Sequence, residues 1–153
     1  MSPTAADVER VTALLGRPPE GEFEVVVRNA DSDPVVIRNA PILRSGRPMP
    51  TRYWLVGADL RRRIGALEAA GGVRSADAEV DPAELEAAHA RYAAERDSAI
   101  PATHDGPRPT GGVGGTRRGV KCLHAHYAHH LAGGDDPVGR WVESRLEAEV
   151  GSR

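Results

Sequence analysis

The side chains best suited to chemistry are gathered between Gly111 and Gly139, in the run G-G-V-G-G-T-R-R-G-V-K-C-L-H-A-H-Y-A-H-H-L-A-G-G-D-D-P-V-G. It holds the only cysteine, Cys122, and four histidines, His124, His126, His129 and His130. Thiolate and imidazole are good donors for Zn²⁺ and related ions, and one helix can supply several of them. A helix over 120–131, turning about 100° per residue, puts Val120, Leu123, Tyr127 and Leu131 on one face and Cys122, His126 and His129 on the other. That spacing predicts a zinc-type metal set of Cys122, His126 and His129, open to a cleft or solvent, with His104, Asp105, Asp135 or His89 completing it. The chain has no C-x-x-C and no H-E-x-x-H, so the metal argument rests on helical spacing. The alternative is structural, with Cys122 as a small core residue, one histidine bonded to a backbone carbonyl and the others in water.

The glycines before this helix suggest a second chemistry. Gly111, Gly112, Gly114, Gly115 and Gly119 let backbone N–H groups approach a ligand at the positive end of the helix. Thr116, Arg117, Arg118 and Lys121 stand among them, with Arg108 nearby. The predicted ligand set is therefore Gly112, Gly114, Gly115, Thr116, Arg117, Arg118 and Lys121, binding a phosphate or carboxylate. The pattern is neither G-x-x-x-x-G-K-[ST] nor a dinucleotide fingerprint, because no strand precedes the glycines. A third reading makes Cys122 a nucleophile with a neighbouring histidine as base, although no arginine follows it before Arg140. His124 or His126 could serve as a general acid or base beside the anion. The candidate catalytic residues are thus Cys122, His124 and His126.

Other elements must position this stretch. Thr4 and Asp7 form a capping-box pattern, and Val8, Val11, Leu14 and Leu15 share a helical face before Gly16. Phe23–Arg28 and Val35–Ile37, separated by Asn29-Ala30-Asp31-Ser32-Asp33-Pro34, read as a β-hairpin, and Arg52–Val56 reads as a third strand. Asp59 is placed to cap a helix over 60–70, stopped by Gly71-Gly72, with Leu60, Ile64 and Leu67 inward. Asp81, Pro82 and Glu84 start a helix running to about Arg96, whose Leu85, Ala88 and Tyr92 face inward and whose charged residues, Arg96 among them, are solvated. The stretch 98–119 is a long loop rich in glycine and proline, and Asp136-Pro137 opens a last helix with Val138, Trp141, Val142, Leu146 and Val150 on one face.

A chain of 153 residues is of ordinary single-domain size, with ends at 1–3 and 150–153 expected to fray. Its 20 Lys and Arg against 22 Asp and Glu leave a formal charge of -2, which argues against nucleic acid or a membrane surface as partner and makes any anion site local. One cysteine forbids an intramolecular disulfide, and no signal-type or membrane-spanning apolar run is present, so a cytoplasmic protein is expected. Aromatic residues at 4% imply a small aliphatic core. The expected fold is α+β: a small antiparallel sheet of about three strands packed with four to five helices.

Three segments, Gly112 to His126, Leu131 to Gly139 and Pro50 to Leu55, resemble the bacterial family of uncharacterised proteins known as domain of unknown function 501. The resemblance covers most of the chain from the first hairpin onward. It implies no established activity. The K-C-L-H-A-H core is typical of the family and His129 and His130 are not, which implies a set of Cys122, His124 and His126. A second family cysteine, expected near Val56-Gly57, is absent here. Family genes near those for a septum-formation initiator and an exopolyphosphatase-like enzyme imply a division, envelope or phosphate-linked setting. Two function classes follow: an anion or metal site for an anionic small molecule, with the capacity for catalysis, or a non-catalytic partner of division or envelope proteins in which the same stretch is a structural clamp.

Overall fold

The computed structural model describes residues 2–151, with side chains to residue 149. Expectations for Met1, Ser152 and Arg153, and for the side chain of Val150, fall outside the described residues. The first helix, α1, spans Ala5–Leu15 and begins with the capping box read from the sequence: the Thr4 hydroxyl accepts the Asp7 N–H, and the Asp7 carboxylate accepts the Thr4 N–H, both at 3.1 Å. Asp7 also pairs with Arg28 at 2.8 Å, tying α1 to the end of the first strand.

Strands β1 (Phe23–Arg28), β2 (Pro34–Asn39) and β3 (Tyr53–Leu55) form an antiparallel sheet in that order. The turn between β1 and β2 closes on the Asn29 side chain, which accepts the N–H groups of Asp31 and Asp33. Period-two alternation then sorts the side chains. Val36, Tyr53 and Leu55 join the larger core cluster, whereas Phe23 and Ile37 meet Val11 of α1 on the other face.

Helix α2 runs Ala58–Ala69, so its N-cap is Gly57, two residues before Asp59, and this glycine offers no side-chain cap. Asp59 therefore lies in the first turn and pairs with Arg62, not with the helix end. One further helix follows where Gly71-Gly72 reads as a stop. Gly71, at φ 90°, ends α2, and the chain at once re-enters a helix, α3, over Gly72–Glu79. The corner is tight enough that a Cβ on Gly72 would lie 2.6 Å from the Leu67 carbonyl oxygen. Among the described residues six α-helices, not four or five, therefore accompany the sheet.

Helix α4, Pro82–Ser98, begins as read, with the Asp81 carboxylate accepting the Glu84 N–H at 3.1 Å and Pro82 in the first turn. Its buried side carries more than Leu85, Ala88 and Tyr92: His89 and Arg96 are buried as well. Arg96, 1% exposed, is the main correction to that face. It donates to the carbonyls of Pro50 at 3.1 Å and Gly111 at 3.0 Å and to the Asp97 carboxylate, which satisfies a guanidinium that burial would otherwise penalise. The 98–119 stretch is thereby held to the body at Gly111 and at the short turn Val113–Gly115, where Val113 is fully buried. Helices α5, Leu123–Leu131, and α6, Pro137–Gly151, complete the order. Among the described residues no helix is long and apolar enough to cross a membrane.

Candidate functional site

Helix α5 starts three residues later than the sequence suggests. Cys122 is its N-cap, with an extended backbone (φ -144°, ψ 117°), so helical periodicity does not set the direction of its side chain. The cap comes from elsewhere in the chain. Glu68, on the last turns of α2, accepts the Leu123 N–H at 2.9 Å through Oε2 and faces His124 Nδ1 at 3.1 Å through Oε1. The positive end of α5, where an external anion was expected, is thus occupied by the protein's own carboxylate.

His124 is held on both ring nitrogens. Its Nδ1 meets Glu68 and its Nε2 lies 3.1 Å from the Arg61 carbonyl oxygen, and since both neighbours only accept, both nitrogens carry hydrogen. Its pKa is accordingly raised to about 9, with the Cys122 side chain the largest influence, partial burial opposing, and the Arg61 carbonyl and Glu68 carboxylate adding. One donor atom each from Glu68, Cys122 and His124 lie within 4.8 Å of one another. Glu68 carried no signal in the sequence, being one of two acids on an ordinary amphipathic helix.

The other histidines go elsewhere. Helix α5 is covered on most sides, by β3, α2 and α6, so the face expected to meet solvent is buried. His126 and His129 direct Nδ1 at Asp136, at 2.8 and 2.9 Å to Oδ2, and donate to it because a carboxylate only accepts. Asp136 is fully buried and also accepts the N–H groups of Val138 and Gly139 at the start of α6. Burial alone would raise its pKa, but the hydrogen bonds from His126 and His129 hold it well below the usual carboxylate range. His89 completes this interior: its Nδ1 accepts the Val113 N–H at 3.0 Å, so Nε2 donates to the Gly119 carbonyl at 2.9 Å. Burial, ahead of other causes, lowers its pKa. Cys122, His126 and His129 are therefore not brought together as a ligand set. Of that trio Cys122 alone joins the Glu68–His124 cluster, and the candidate catalytic residue His126 is in the core at 0% exposure. Asp136 was legible only as a helix start.

The glycine loop also turns inward. The Gly112 N–H donates to the Thr116 carbonyl, Gly115 N–H to Gly112 and Val113 N–H to His89, so these groups close the loop on itself and on α4. The Thr116 hydroxyl donates to the Arg118 carbonyl, and Arg117, Arg118 and Lys121 are exposed. Gly114, at φ 71°, is the glycine that reaches the site. It lines a cavity of about 470 Å³ together with Cys122 and His124. Positive charge along that cavity comes from Arg17 and Arg61, not from the loop arginines. The proposed completing ligands are also placed apart: His104 lies against the Pro107 carbonyl, and Asp135 pairs with Arg91 and Arg140.

The family model described as Protein of unknown function (DUF501) matches residues 25–144. No curated protein and no solved structure matches the chain.

Proposed function

The chain belongs to the DUF501 family, and we infer that its site binds a divalent, zinc-type cation through Glu68, Cys122 and His124 and presents it to an anionic ligand in the adjoining cavity. The observation that carries this reading is the convergence of a carboxylate, a thiol and an imidazole within 4.8 Å. Mixed sulfur, nitrogen and oxygen donors suit Zn²⁺, and three protein ligands with a fourth position open is the usual arrangement of catalytic zinc sites.

The hydrogen bonds support the fit. A metal-binding histidine commonly donates its second ring nitrogen to a carbonyl or carboxylate, which fixes its orientation. His124 Nε2 does so toward Arg61, leaving Nδ1 as the ligand atom, where a proton shared with Glu68 now sits. Glu68 is held in turn by the Leu123 N–H. When bound, such a cation supplies Lewis acidity and lowers the pKa of a coordinated water. The chain's own residues orient the ligand: Arg17 and Arg61 offer cationic groups along the cavity, and Trp54 and Leu15 offer apolar surface. This combination supports an anionic ligand and a cytoplasmic enzyme as the setting.

The test is metal content of purified, untagged protein, with thermal stability measured before and after chelation. About one zinc per chain, lost in Cys122→Ser and in Glu68→Ala but retained in His126→Gln, supports the reading. Metal-free protein whose melting temperature is unmoved by added zinc would sink it and favour a structural clamp within a division or envelope partner protein.

A further inference from the structure

Resting on that reading of the site, we propose the class of ligand it takes: an extended peptide segment bearing an acidic group, paired with the outer edge of β3. Consecutive residues of a strand point to opposite faces of the sheet. Trp54 packs with the cluster under α1, while Tyr53 and Leu55 belong to the larger cluster on the other face. A cavity lined by all three in succession therefore runs along the edge of β3, not over one face of the sheet. That edge has no neighbouring strand among the described residues, because β3 is last in the order.

The register identifies the backbone groups on this edge. The Asn39 N–H donates to the Arg52 carbonyl at 2.7 Å and the Val56 N–H donates to the Val35 carbonyl at 2.8 Å. Between them, Ile37 stands opposite Trp54, and Val36 opposite Leu55. Bonded and non-bonded pairs alternate in an antiparallel ladder, so Trp54 turns its backbone groups to β2 while Tyr53 and Leu55 turn theirs outward. The N–H groups of Arg52 and Tyr53 both donate to the buried Tyr92 hydroxyl of α4, at 2.6 and 3.2 Å, so α4 closes this end of the edge. The Tyr53 carbonyl and the Leu55 N–H and carbonyl are left for an added chain among the described residues. Main-chain pairing of this kind is a common way to hold a peptide, with flanking pockets setting its sequence.

Charge selects the occupant. Arg17 and Arg61 line the cavity and, among the described residues, no acidic side chain does. An aspartate, a glutamate or a terminal carboxylate therefore complements it, and a peptide so held lies beside Cys122 and His124. Free phosphate or a lone amino acid would satisfy the arginines but leave the strand edge unpaired.

The experiment titrates ¹⁵N-labelled protein, metal-free and zinc-loaded, with N-acetylated hexapeptides of valine and threonine carrying one or two aspartates. Lysine counterparts and versions N-methylated at alternate amides serve as controls. The proposal expects hydrogen exchange at the Leu55 amide to slow by about tenfold or more on saturation. It expects N-methylation, lysine replacement or Arg17→Glu each to weaken binding by about tenfold or more. Acidic peptides that fail to bind either form, or that bind with Leu55 exchange unchanged, overturn it. Zinc content is measured on the same samples: loaded protein that ignores peptides removes this proposal alone, whereas edge pairing without zinc uptake removes the cation reading and keeps the peptide.

Discussion

His126 Nδ1 lies 2.8 Å from Asp136 Oδ2, both side chains at 0% exposure, and the same carboxylate receives His129 and the first N–H groups of α6. A histidine-rich helix is thereby fastened to its neighbour by one buried charge. Such a carboxylate is costly to bury alone, and removing its charge leaves polar groups without adequate partners.

Asp136→Asn should therefore destabilise the fold by roughly 3–5 kcal/mol in urea unfolding, the scale for breaking a buried charged pair. Asp136 is depressed in the folded state, so its contribution is present above the ordinary carboxylate pKa and disappears as pH falls through the lower folded value. The wild type should lose stability on acidification below about pH 4, and the variant should lack that component. An Asn variant as stable as the wild type would mean that the network carries no stability.

Zinc uptake should depend on the His124 proton. With its pKa raised to about 9, Nδ1 is protonated at neutral pH and metal must displace that proton. This proton alone should raise apparent affinity by up to about tenfold per pH unit between pH 7 and 9, its effect levelling off above, as measured by competition with a chromophoric chelator. The metal-free protein should show the opposite trend in stability. A raised folded pKa gives a contribution that is complete below the unfolded value of about 6.5 and is lost as pH rises through about 9. His124→Gln should remove this component from both profiles, leaving in the uptake profile the proton that the Cys122 thiol releases on binding, and an unchanged uptake profile in that variant would remove His124 from the site.

Glu68→Gln separates the cap from the cation site. The amide oxygen still accepts the Leu123 N–H, so the melting temperature should fall only modestly, by the equivalent of about 1 kcal/mol or less. A neutral ligand is a poor replacement for a carboxylate, so zinc affinity should fall by about tenfold or more. Equal zinc affinity in both proteins would show that Glu68 serves only the helix.

Two glycine substitutions test how tightly the loop is held. A Cβ on Gly112 would lie 2.6 Å from His89 side-chain atoms and 2.8 Å from its Cα, so Gly112→Ala should destabilise by about 1–3 kcal/mol in urea unfolding and shift the Val113 amide resonance. Gly65, inside α2, has open space where a Cβ would go, and Gly65→Ala should stabilise by about 0.5–1 kcal/mol. Equal effects would argue that the His89–Val113 contact does not restrain the loop in solution.

Local signals in the sequence determined much of the framework. Thr4 with Asp7, and Asp81 with Pro82, are patterns whose hydrogen bonds close within four residues, so the starts of α1 and α4 were readable. The turn at 29–33 and the β-branched runs beside it likewise act over a few residues and specify the hairpin. The extra helix α3 was hidden because a glycine pair reads as a stop, and only the packing of Gly72 against Leu67 and Leu123 shows that the chain restarts there.

Composition and spacing by themselves determined an α+β chain with a small antiparallel sheet, and they located the chemistry in the stretch around Cys122. Tertiary structure decided which of those residues belong together. A helical wheel assumes one wet face, but α5 is enclosed by β3, α2 and α6, so His126 and His129 turn to Asp136 in the interior. The partners that define the candidate site, Glu68 and Arg61, come from α2, more than fifty positions from Cys122 in the chain. Contacts across such separations leave no period or motif in the sequence, because they depend on how α2 and α5 pack and not on the spacing within either helix.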